Sequence, residues 1–237
     1  MPVNELNQIV AEPIPDWEPR PHPENVTLEG KLCTIVPLDP EIHCPVLFEA
    51  YQLEKDNGMW TFLPFGPYKN ADELTEAFDH WMKTKDDTYF AIIDNKTKKP
   101  VGQYSLRRCD PTNGVVEVGG VIFSPLLKRS RTATEAHYLL AEYVFDTLHY
   151  RRYEWQCNSL NKPSHNAAVR MGFQFEGVHR QISVVKGRNR DTHWLSMLDH
   201  EWPVCKQAFE KWLDDSNFDA DGMQLQRLQE IRVSLST

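Results

Sequence analysis

Residues 128–136 read Lys-Arg-Ser-Arg-Thr-Ala-Thr-Glu-Ala and lie between a predicted strand and the clearest amphipathic helix of the chain. Upstream, residues 115–123 read Val-Val-Glu-Val-Gly-Gly-Val-Ile-Phe, a short run rich in β-branched residues that predicts a buried strand. Downstream, apolar residues recur at helical spacing from Ala136 to Leu148 and form one apolar stripe. The sequence therefore predicts a strand, a cationic loop and a helix in direct succession.

The cationic loop is a candidate anion site. The N–H groups of a first helical turn point out of the helix end, and the helix dipole favours negative charge there. Lys128, Arg129 and Arg131 add positive charge, so a phosphate or pyrophosphate is the expected ligand. Two alternatives stay open: the basic residues are a solvated loop, or Thr132 and Glu135 form a capping box that occupies the helix N–H groups.

A second strand and helix follow the first pair. Residues 152–157, Arg-Tyr-Glu-Trp-Gln-Cys, favour a strand, and residues 161–173 read Asn-Lys-Pro-Ser-His-Asn-Ala-Ala-Val-Arg-Met-Gly-Phe. The second run predicts a short helix that Ser164 caps and that Gly172 ends in the left-handed conformation. The β–α–β–α order implies a right-handed crossover and at least two parallel strands.

Four short motifs occur in the order and spacing of a known family. They are Ala-Thr-Glu-Ala at 133–136, Asn-x-x-Ser…Gly-Phe at Asn161, Ser164, Gly172 and Phe173, Glu-Gly-x-x-Arg at 176–180, and Gly-Arg-x-Arg-Asp at 187–191. With these motifs the chain resembles the GNAT family of N-acyltransferases, and within it the branch similar to the ribosomal-protein N-terminal acetyltransferases. The resemblance runs from about residue 28 to residue 200.

The resemblance implies an α/β (α+β) fold of the GNAT acyl-CoA N-acyltransferase type, in which a mixed central sheet with splayed parallel strands is flanked by helices. It divides the chain into a proline-rich irregular arm (1–27), an acetyltransferase domain (28–200) and a helical extension packed on that domain (201–237). Period-two runs at 173–177, 181–186 and 192–198, with a turn at Gly187, predict antiparallel strands after the second helix.

Acetyl-CoA is the co-substrate that the resemblance implies, with its pantetheine arm in the gap between the splayed strands. Strand backbone groups would pair with that arm, and one N–H would polarise the thioester carbonyl. In the loop, Arg131 stands where the family usually has glycine, so either the backbone path differs or the guanidinium contacts phosphate. The expected contacts are Val121, Ile122, Phe123, Lys128, Arg129, Ser130, Arg131, Thr132, Ala133, Thr134, Asn161 and Ser164.

Two catalytic residues are expected. Many relatives place a tyrosine four residues before the Gly-Phe pair, but this chain has Ala168 there, and Ser164 matches the serine that the ribosomal-protein branch is thought to use to protonate the leaving thiolate. The alternative role of Ser164 is helix capping alone. Glu117 is the first candidate for the base that deprotonates the amine, since alternation places it on the same strand face as Gly119 and Val121. The other candidates are Glu154, Asp191, His193, and a water chain with no dedicated base.

Length and composition agree with a compact soluble enzyme. The 237 residues suffice for one substantial core, and a net charge of −8 argues against nucleic acid as the main partner. Five scattered cysteines form no C-x-x-C pair, which indicates reduced thiols and no metal site. No apolar run reaches 18 residues and the first residues resemble no signal peptide, so we expect a cytoplasmic monomer or homodimer with no membrane partner.

The expected activity is direct transfer of an acetyl group from acetyl-CoA to a primary amine, either a protein N-terminus or a small-molecule amine. One alternative is a catalytically degenerate CoA-binding or interaction module of the same fold. Another is an interaction module whose contact surface is the aromatic loop 60–65. A nucleotide hydrolase of the P-loop type is disfavoured, because the Gly-x-x-x-x-Gly-Lys-Ser/Thr run is absent from the sequence.

Overall fold

The computed structural model of the protein describes residues 1–84 and 86–236. Within them, eight strands form one sheet in the order β1-β2-β3-β4-β5-β6-β8-β7. The strands are β1 (Leu28–Glu29), β2 (Cys33–Pro37), β3 (Thr88–Asp94), β4 (Pro100–Asp110), β5 (Val115–Phe123), β6 (Arg152–Asn158), β7 (Gln174–Val185) and β8 (Arg188–Leu198). Neighbouring strands are antiparallel except β5 and β6, which are parallel.

Helices cover both faces of this sheet. They are α1 (Pro40–Tyr51), α2 (Ala71–Thr84), α3 (Arg131–Glu142, extended by a π-helical turn over Tyr143–Thr147), α4 (Lys162–Met171), α5 (Trp202–Leu213) and α6 (Leu228–Leu235). Alternation along β3 separates the two cores: Tyr89 and Ala91 pack with α1 and α2, whereas Phe90 and Ile92 pack in the larger cluster with α3 and α5. None of the helices in the described ranges is long and apolar enough to cross a membrane.

The parallel strands β5 and β6 separate halfway along their length. Their register runs only from Val115 opposite Arg152 to Val118 opposite Trp155. Beyond this point β5 carries a bulge against β4, since Gly119 pairs with Ser105 but Ile122 pairs with Gln103. Gly120, in the bulge, has φ +58°, a conformation that favours glycine. The predicted mixed sheet with splayed parallel strands is therefore confirmed.

The start of α3 differs from the capping-box alternative. Ser130 is the N-cap, and its Oγ accepts a hydrogen bond from the Ala133 N–H at 3.0 Å. The Glu135 carboxylate turns to β2 instead and accepts from the N–H groups of Lys31 (3.0 Å), Leu32 (2.6 Å) and Cys33 (2.8 Å). Glu135 thus joins α3 to the start of β2, and the box of Thr132 and Glu135 is wrong.

The cap of α4 also differs from the prediction. Asn161 is the N-cap, and its Oδ1 accepts from the Ser164 N–H at 3.2 Å, so Ser164 lies inside the first turn. A proline in the first turn suits this arrangement because it needs no N–H partner there. Gly172 ends the helix at φ +113°, as predicted. The hydroxyl of Ser164 is therefore released from capping.

The strands after α4 form one long hairpin. The runs predicted at 173–177 and 181–186 are a single strand, β7, and the turn at Gly187 leads into β8. The register shifts twice along the pair, and in the second shift Gln181 takes φ +51° while its N–H donates to Asp191 Oδ1 at 2.7 Å. Residues 180–182 therefore bulge out of the ladder between His179 and Ser183, which a sequence pattern does not reveal.

Both ends of the chain are attached to the domain. In the N-terminal arm, Trp17 Nε1 donates to the Thr112 carbonyl (2.8 Å), and Tyr150 donates to the Pro21 carbonyl (3.0 Å). At the other end α5 packs against α3. The Arg232 guanidinium of α6 donates to two carbonyls at the end of α4, those of Val169 (3.0 Å) and Arg170 (2.9 Å). The extension therefore supports the two helices that border the splayed strands.

Candidate active site

The gap between β5 and β6 forms the centre of the site. Past Val118, the edge of β5 that faces away from β4 has no paired strand among the described residues. Val121, Ile122 and Phe123 lie on this stretch, where sequence analysis expects backbone contacts to acyl-CoA. Ile122 packs with α1 and α2, and its carbonyl accepts a hydrogen bond from the Tyr51 hydroxyl at 3.4 Å. Val121 and Phe123 pack towards α3, so the prediction that Val121 shares the face of Glu117 is wrong, because the bulge after Gly119 reverses the alternation. The unpaired edge is thus held rigidly from both faces.

The cationic loop contributes one freely exposed charge. Lys128 forms an ion pair with Glu54, which follows α1 in the chain. Arg129 is exposed and has φ +59°, so the left-handed residue of this loop is Arg129. Ser130 caps α3 through the Ala133 N–H, which leaves the N–H groups of Arg131 and Thr132 at the open end of the helix.

The Arg131 side chain faces away from that helix end. Its Nη2 donates to the Leu213 carbonyl (2.8 Å) and to Asp215 Oδ1 (2.9 Å), and the guanidinium lies 3.8 Å from the ring centroid of Phe218. The guanidinium thus contacts the C-terminal extension, which disfavours the alternative in which it contacts phosphate. Because Arg131 is the first helical residue, it needs no positive φ, and the family's usual glycine is dispensable here.

Thr134 and Ala133, the last expected residues of the loop, are buried in the first turn of α3. The Thr134 hydroxyl accepts from Arg170 Nη1 at 3.0 Å, and the Arg170 guanidinium lies 4.7 Å from the ring centroid of Trp212. Burial, followed by the neighbouring Arg232, lowers the pKa of Arg170. This contact links the first turn of α3 to the last turn of α4.

Ser164 lies where the parallel strands part. Its Oγ accepts from Trp155 Nε1 at 3.0 Å, and Trp155 belongs to the last parallel pair. Its backbone N–H is taken by Asn161, so both residues expected in this element meet in one turn. Since the indole occupies a lone pair of the hydroxyl, the hydroxyl proton remains available to another acceptor. Ser164 can therefore act as a proton donor at the closed end of the gap.

Glu117 occupies the opposite face of the same strands. It is buried, stands opposite Glu154 in the parallel register, and accepts from Gln156 Nε2 at 2.9 Å. Burial raises its pKa to about 7, against the lowering effect of Arg107 and Arg108, and the Glu154 and Asp87 charges add to the increase. A carboxylate with a pKa near neutrality is suited to accept a proton at pH 7.

The other candidate bases are less suited to this task. Glu154 is bound by Arg152 Nε at 2.6 Å. Asp191 has a lowered pKa because it accepts from the Gln181 N–H and from Asn189 in the hairpin. His193 lies on the α4 side, with its Nδ1 3.1 Å from His165 Nδ1, and burial lowers its pKa. Geometry therefore favours Glu117 among the four.

The α1–α2 loop and the β7–β8 hairpin close over the Glu117 face. Lys186 Nζ donates to the Trp60 carbonyl (2.8 Å), and Arg190 Nη1 lies 3.5 Å from the Phe62 carbonyl. The Trp60 ring is buried against Tyr51 and Tyr68, with centroids 5.8 and 5.4 Å away. Trp60 is thus a core residue, and its backbone carbonyl contacts the β7–β8 hairpin. This burial disfavours the aromatic loop as a protein contact.

Three residues of this site were missed by sequence analysis: Gln156, Arg108 and Arg190. Gln156 lies two residues after Glu154 on a predicted strand, so alternation places both on one face and gives a usable signal. Arg190 stands inside the Gly-Arg-x-Arg-Asp motif, but the motif does not indicate which side chain points inward. Arg108, which lies 3.4 Å from Glu117, has φ +50° next to the irregular β4–β5 pairing, and no sequence pattern indicates it.

Comparisons with known proteins agree with this geometry. A family model described as an acetyltransferase (GNAT) domain matches residues 33–174. A solved GCN5-related N-acetyltransferase from Brucella melitensis is 46% identical, with a TM-score of 0.89 over 92% of this chain and 99% of that one. A structure from Chromobacterium violaceum, described as a probable GNAT-family acetyltransferase, is 36% identical, with a TM-score of 0.77 over 83% and 98% of the two chains.

A curated relative, the uncharacterized N-acetyltransferase p20 of Bacillus licheniformis, is 27% identical over 139 residues, which are 59% of this chain and 78% of that protein. The splayed sheet and the family match together define an acetyltransferase scaffold. The chain belongs to the GNAT acetyltransferase family.

Proposed function

We propose that this protein transfers an acetyl group from acetyl-CoA to a primary amine in one direct step. The observation that supports it most is the pairing of two proton-handling groups across the splayed strands. Glu117, with a pKa of about 7, lies on the α1–α2 face, and Ser164 lies at the closed end of the gap on the α4 side. The amine and the thioester would meet between them.

The residues present fit an acyl-CoA co-substrate, which supplies the activated acetyl group as a thioester. The free edge of β5 from Gly119 to Phe123 offers backbone donors and acceptors to a strand-like pantetheine arm. The open N–H groups of Arg131 and Thr132, with the exposed charge of Arg129, suit a pyrophosphate. This fit needs no glycine in the loop, which removes the main reason for the degenerate-module alternative.

In the proposed step the amine nitrogen bonds to the thioester carbonyl carbon, and the carbon–sulfur bond breaks. Glu117 accepts the proton that the amine loses, and Gln156 holds the accepting carboxylate in place. Ser164 donates its hydroxyl proton to the departing thiolate and regains one from solvent, with Trp155 Nε1 fixing its orientation. A protonated Glu117, a free thiol and an amide are the result, so the proton count balances.

The test combines binding with turnover. Millimolar acetyl-CoA or CoA should raise the melting temperature, because a ligand that binds only the folded state stabilises it by mass action. Release of CoA thiol from acetyl-CoA should then depend on an added amine and produce its N-acetyl derivative by mass spectrometry. Binding without any amine-dependent thiol release across a broad amine panel would support the catalytically inactive alternative.

A further inference from the structure

On the face of the sheet that carries Glu117, every carboxylate has an ion-pair partner but some of the cations have none among the described residues. Each carboxylate there has a cationic neighbour within ion-pair distance. The pairs are Arg152 with Glu154 (2.6 Å) and Glu176 (2.6 Å), Arg108 with Glu117 (3.4 Å), and Arg107 with Asp87 (3.8 Å). Three arginines thus contact all four carboxylates before any acceptor enters, with Arg152 shared between two of them.

Two cations of the β7–β8 hairpin stay unmatched. Arg190 donates from Nε to the Thr192 hydroxyl (3.1 Å) and from Nη1 towards the Phe62 carbonyl, and Lys186 donates to the Trp60 carbonyl. Neither has a carboxylate within ion-pair distance in residues 1–84 and 86–236, and Arg190 Nη2 has no hydrogen-bond partner in those ranges. The acceptor side thus holds five cations against four carboxylates, a surplus of one positive charge in a chain of net charge −8.

Arg190 is placed to bind an anionic group of a ligand. The guanidinium is half-buried on the same side of the sheet as Glu117. Burial lowers the pKa of Arg190, and the charges of Cys157 and Glu117 oppose this decrease. Burying a cation without a counter-ion is unfavourable, and an anion arriving from solution relieves that cost. The Nη2 group of Arg190, which has no partner in the described residues, can donate a charge-assisted hydrogen bond to a carboxylate oxygen.

The surplus charge also suits the chemistry of the amine. Nearby cations disfavour a protonated amine, and when Glu117 takes up the amine proton its neighbour Arg108 loses an anionic partner. A carboxylate on the acceptor would then balance the charge of the pocket. A purely cationic acceptor such as a polyamine would meet repulsion from Arg190, Lys186 and Arg108.

We propose that the acceptor carries a carboxylate close to the amine that is acetylated, and that Arg190, assisted by Lys186, binds this carboxylate. The inference rests on the proposed acetyl transfer and names its substrate class. A free amino acid and the acidic first residue of a peptide share this chemistry. Arg190 is thereby a specificity-determining residue and takes no part in proton transfer.

The test uses matched acceptors with the full-length chain. The panel contains free amino acids with their α-amides, and peptides that begin with Asp or Glu with the same peptides beginning with Asn or Gln. We expect the charged member of at least one pair to be acetylated at least tenfold more efficiently in kcat/KM. The first set reports a small-molecule acceptor and the second a peptide acceptor. Equal or lower efficiency of the charged member in every pair would overturn the proposal.

Variants show whether Arg190 causes the preference. Arg190→Gln should lower kcat/KM for the charged acceptor about 10- to 100-fold more than for its neutral partner, and Arg190→Lys should retain part of the preference. Arg188→Gln, an exposed arginine at the tip of the same hairpin, is the matched control and should leave the preference intact. A preference that persists in Arg190→Gln would contradict the assignment.

The two proposals fail in different ways. Activity on neutral amines without a charge preference refutes the carboxylate inference and leaves acetyl transfer standing. Absence of acetyl-CoA binding, or of transfer to every amine tested, refutes the proposed function itself. Activity of Arg190→Gln on the neutral acceptor shows that this variant is folded, so its loss on the charged acceptor reports recognition.

Discussion

Two buried glutamates illustrate how the same side chain serves architecture in one region and chemistry in another. Glu135 and Glu117 are both 6% exposed. Glu135, at the junction of α3 and β2, accepts three backbone N–H groups and is fixed by the main chain. Glu117, at the splayed strands, accepts one side-chain amide and has an arginine at 3.4 Å. Burial raises the pKa of Glu117 to about 7, so this carboxylate can change its protonation state near neutral pH, whereas three backbone donors fix the position of the Glu135 carboxylate.

The largest expected effect is on turnover at Glu117. Glu117→Gln keeps the shape and a hydrogen-bonding oxygen but removes the base, so kcat should fall about 10²- to 10⁴-fold. In the unaltered protein, kcat/KM should rise with pH through about 7, because the base must be ionised, and this rise should vanish in the variant. Steady-state rates from pH 5.5 to 8.5 measure both.

Stability gives an independent check at the same residue. The pKa of Glu117 is raised in the folded protein, so its ionisation costs folding free energy that grows as pH rises from the unfolded-state value towards 7. Removing the carboxylate should therefore stabilise the protein at pH 8 by about 1–3 kcal/mol relative to its effect at pH 4.5. Urea unfolding at the two pH values measures this; a variant that loses stability at pH 8 would place Glu117 with Glu135 among structural residues.

Ser164 is expected to have the next largest effect on turnover. Ser164→Ala should lower kcat about 10- to 1,000-fold, because water replaces a positioned acid only in part. The cap of α4 belongs to Asn161, so stability should fall by only about 1 kcal/mol, for the hydrogen bond lost by Trp155. Ser164→Thr retains a hydroxyl and serves as the control. Equal activity of the alanine and threonine variants would show that the hydroxyl is not the acid.

At Glu135 the expected effect is on folding. Glu135→Gln replaces a charged acceptor of three N–H bonds with a neutral one and should cost about 2–4 kcal/mol of unfolding free energy. The kcat of the folded fraction should change less than threefold, as Glu135 lies outside the pocket of Glu117. Chemical denaturation and active-site-normalised rates measure these quantities. A large loss of kcat with unchanged stability would reverse the contrast between the two glutamates.

Arg131 is expected to show the smallest effect. Arg131→Ala should lower stability by about 1–2 kcal/mol by releasing Leu213 and Asp215. The affinity for acetyl-CoA should fall less than threefold. Arg129→Ala, in the same loop but exposed, is the matched variant and should weaken acetyl-CoA binding without loss of stability. Calorimetric titration and thermal unfolding of both variants give the answer; weaker binding in Arg131→Ala alone would restore its guanidinium as a phosphate contact.

Much of the fold and part of the site are readable from the sequence, for a physical reason. Strand alternation and helical spacing are local, so the strand–loop–helix around residues 128–136 and the inward face of Glu117 follow directly from the pattern. The partners of Arg131 and Glu135 lie 84 and about 100 residues away along the chain. Local patterns contain no information on such contacts, so the capping box of Thr132 and Glu135 is wrong, and the contact of Arg131 with the C-terminal extension could not be predicted.

Asn161 and Ser164 show a finer limit of the same kind. Both residue types cap helices, and the sequence places them three residues apart, so propensity alone favours either. The choice depends on Trp155, whose indole N–H occupies the Ser164 hydroxyl from the neighbouring strand. A residue's role in such a turn is therefore decided by the strand that packs beside it.

The partial pairing of β5 and β6 fixes the depth of the gap between them. The strands are joined through Val118 and Trp155, so a guest that lies along β5 can advance no further than this junction. Five residues, Gly119 to Phe123, separate the junction from the end of the strand, which at about 3.3 Å per residue gives a slot roughly 16 Å deep. In the proposed binding mode, the length of the pantetheine arm therefore sets the position of its thioester. Inserting one residue in β5 would displace the thioester relative to Ser164 and turn Glu117 to the other face of the sheet.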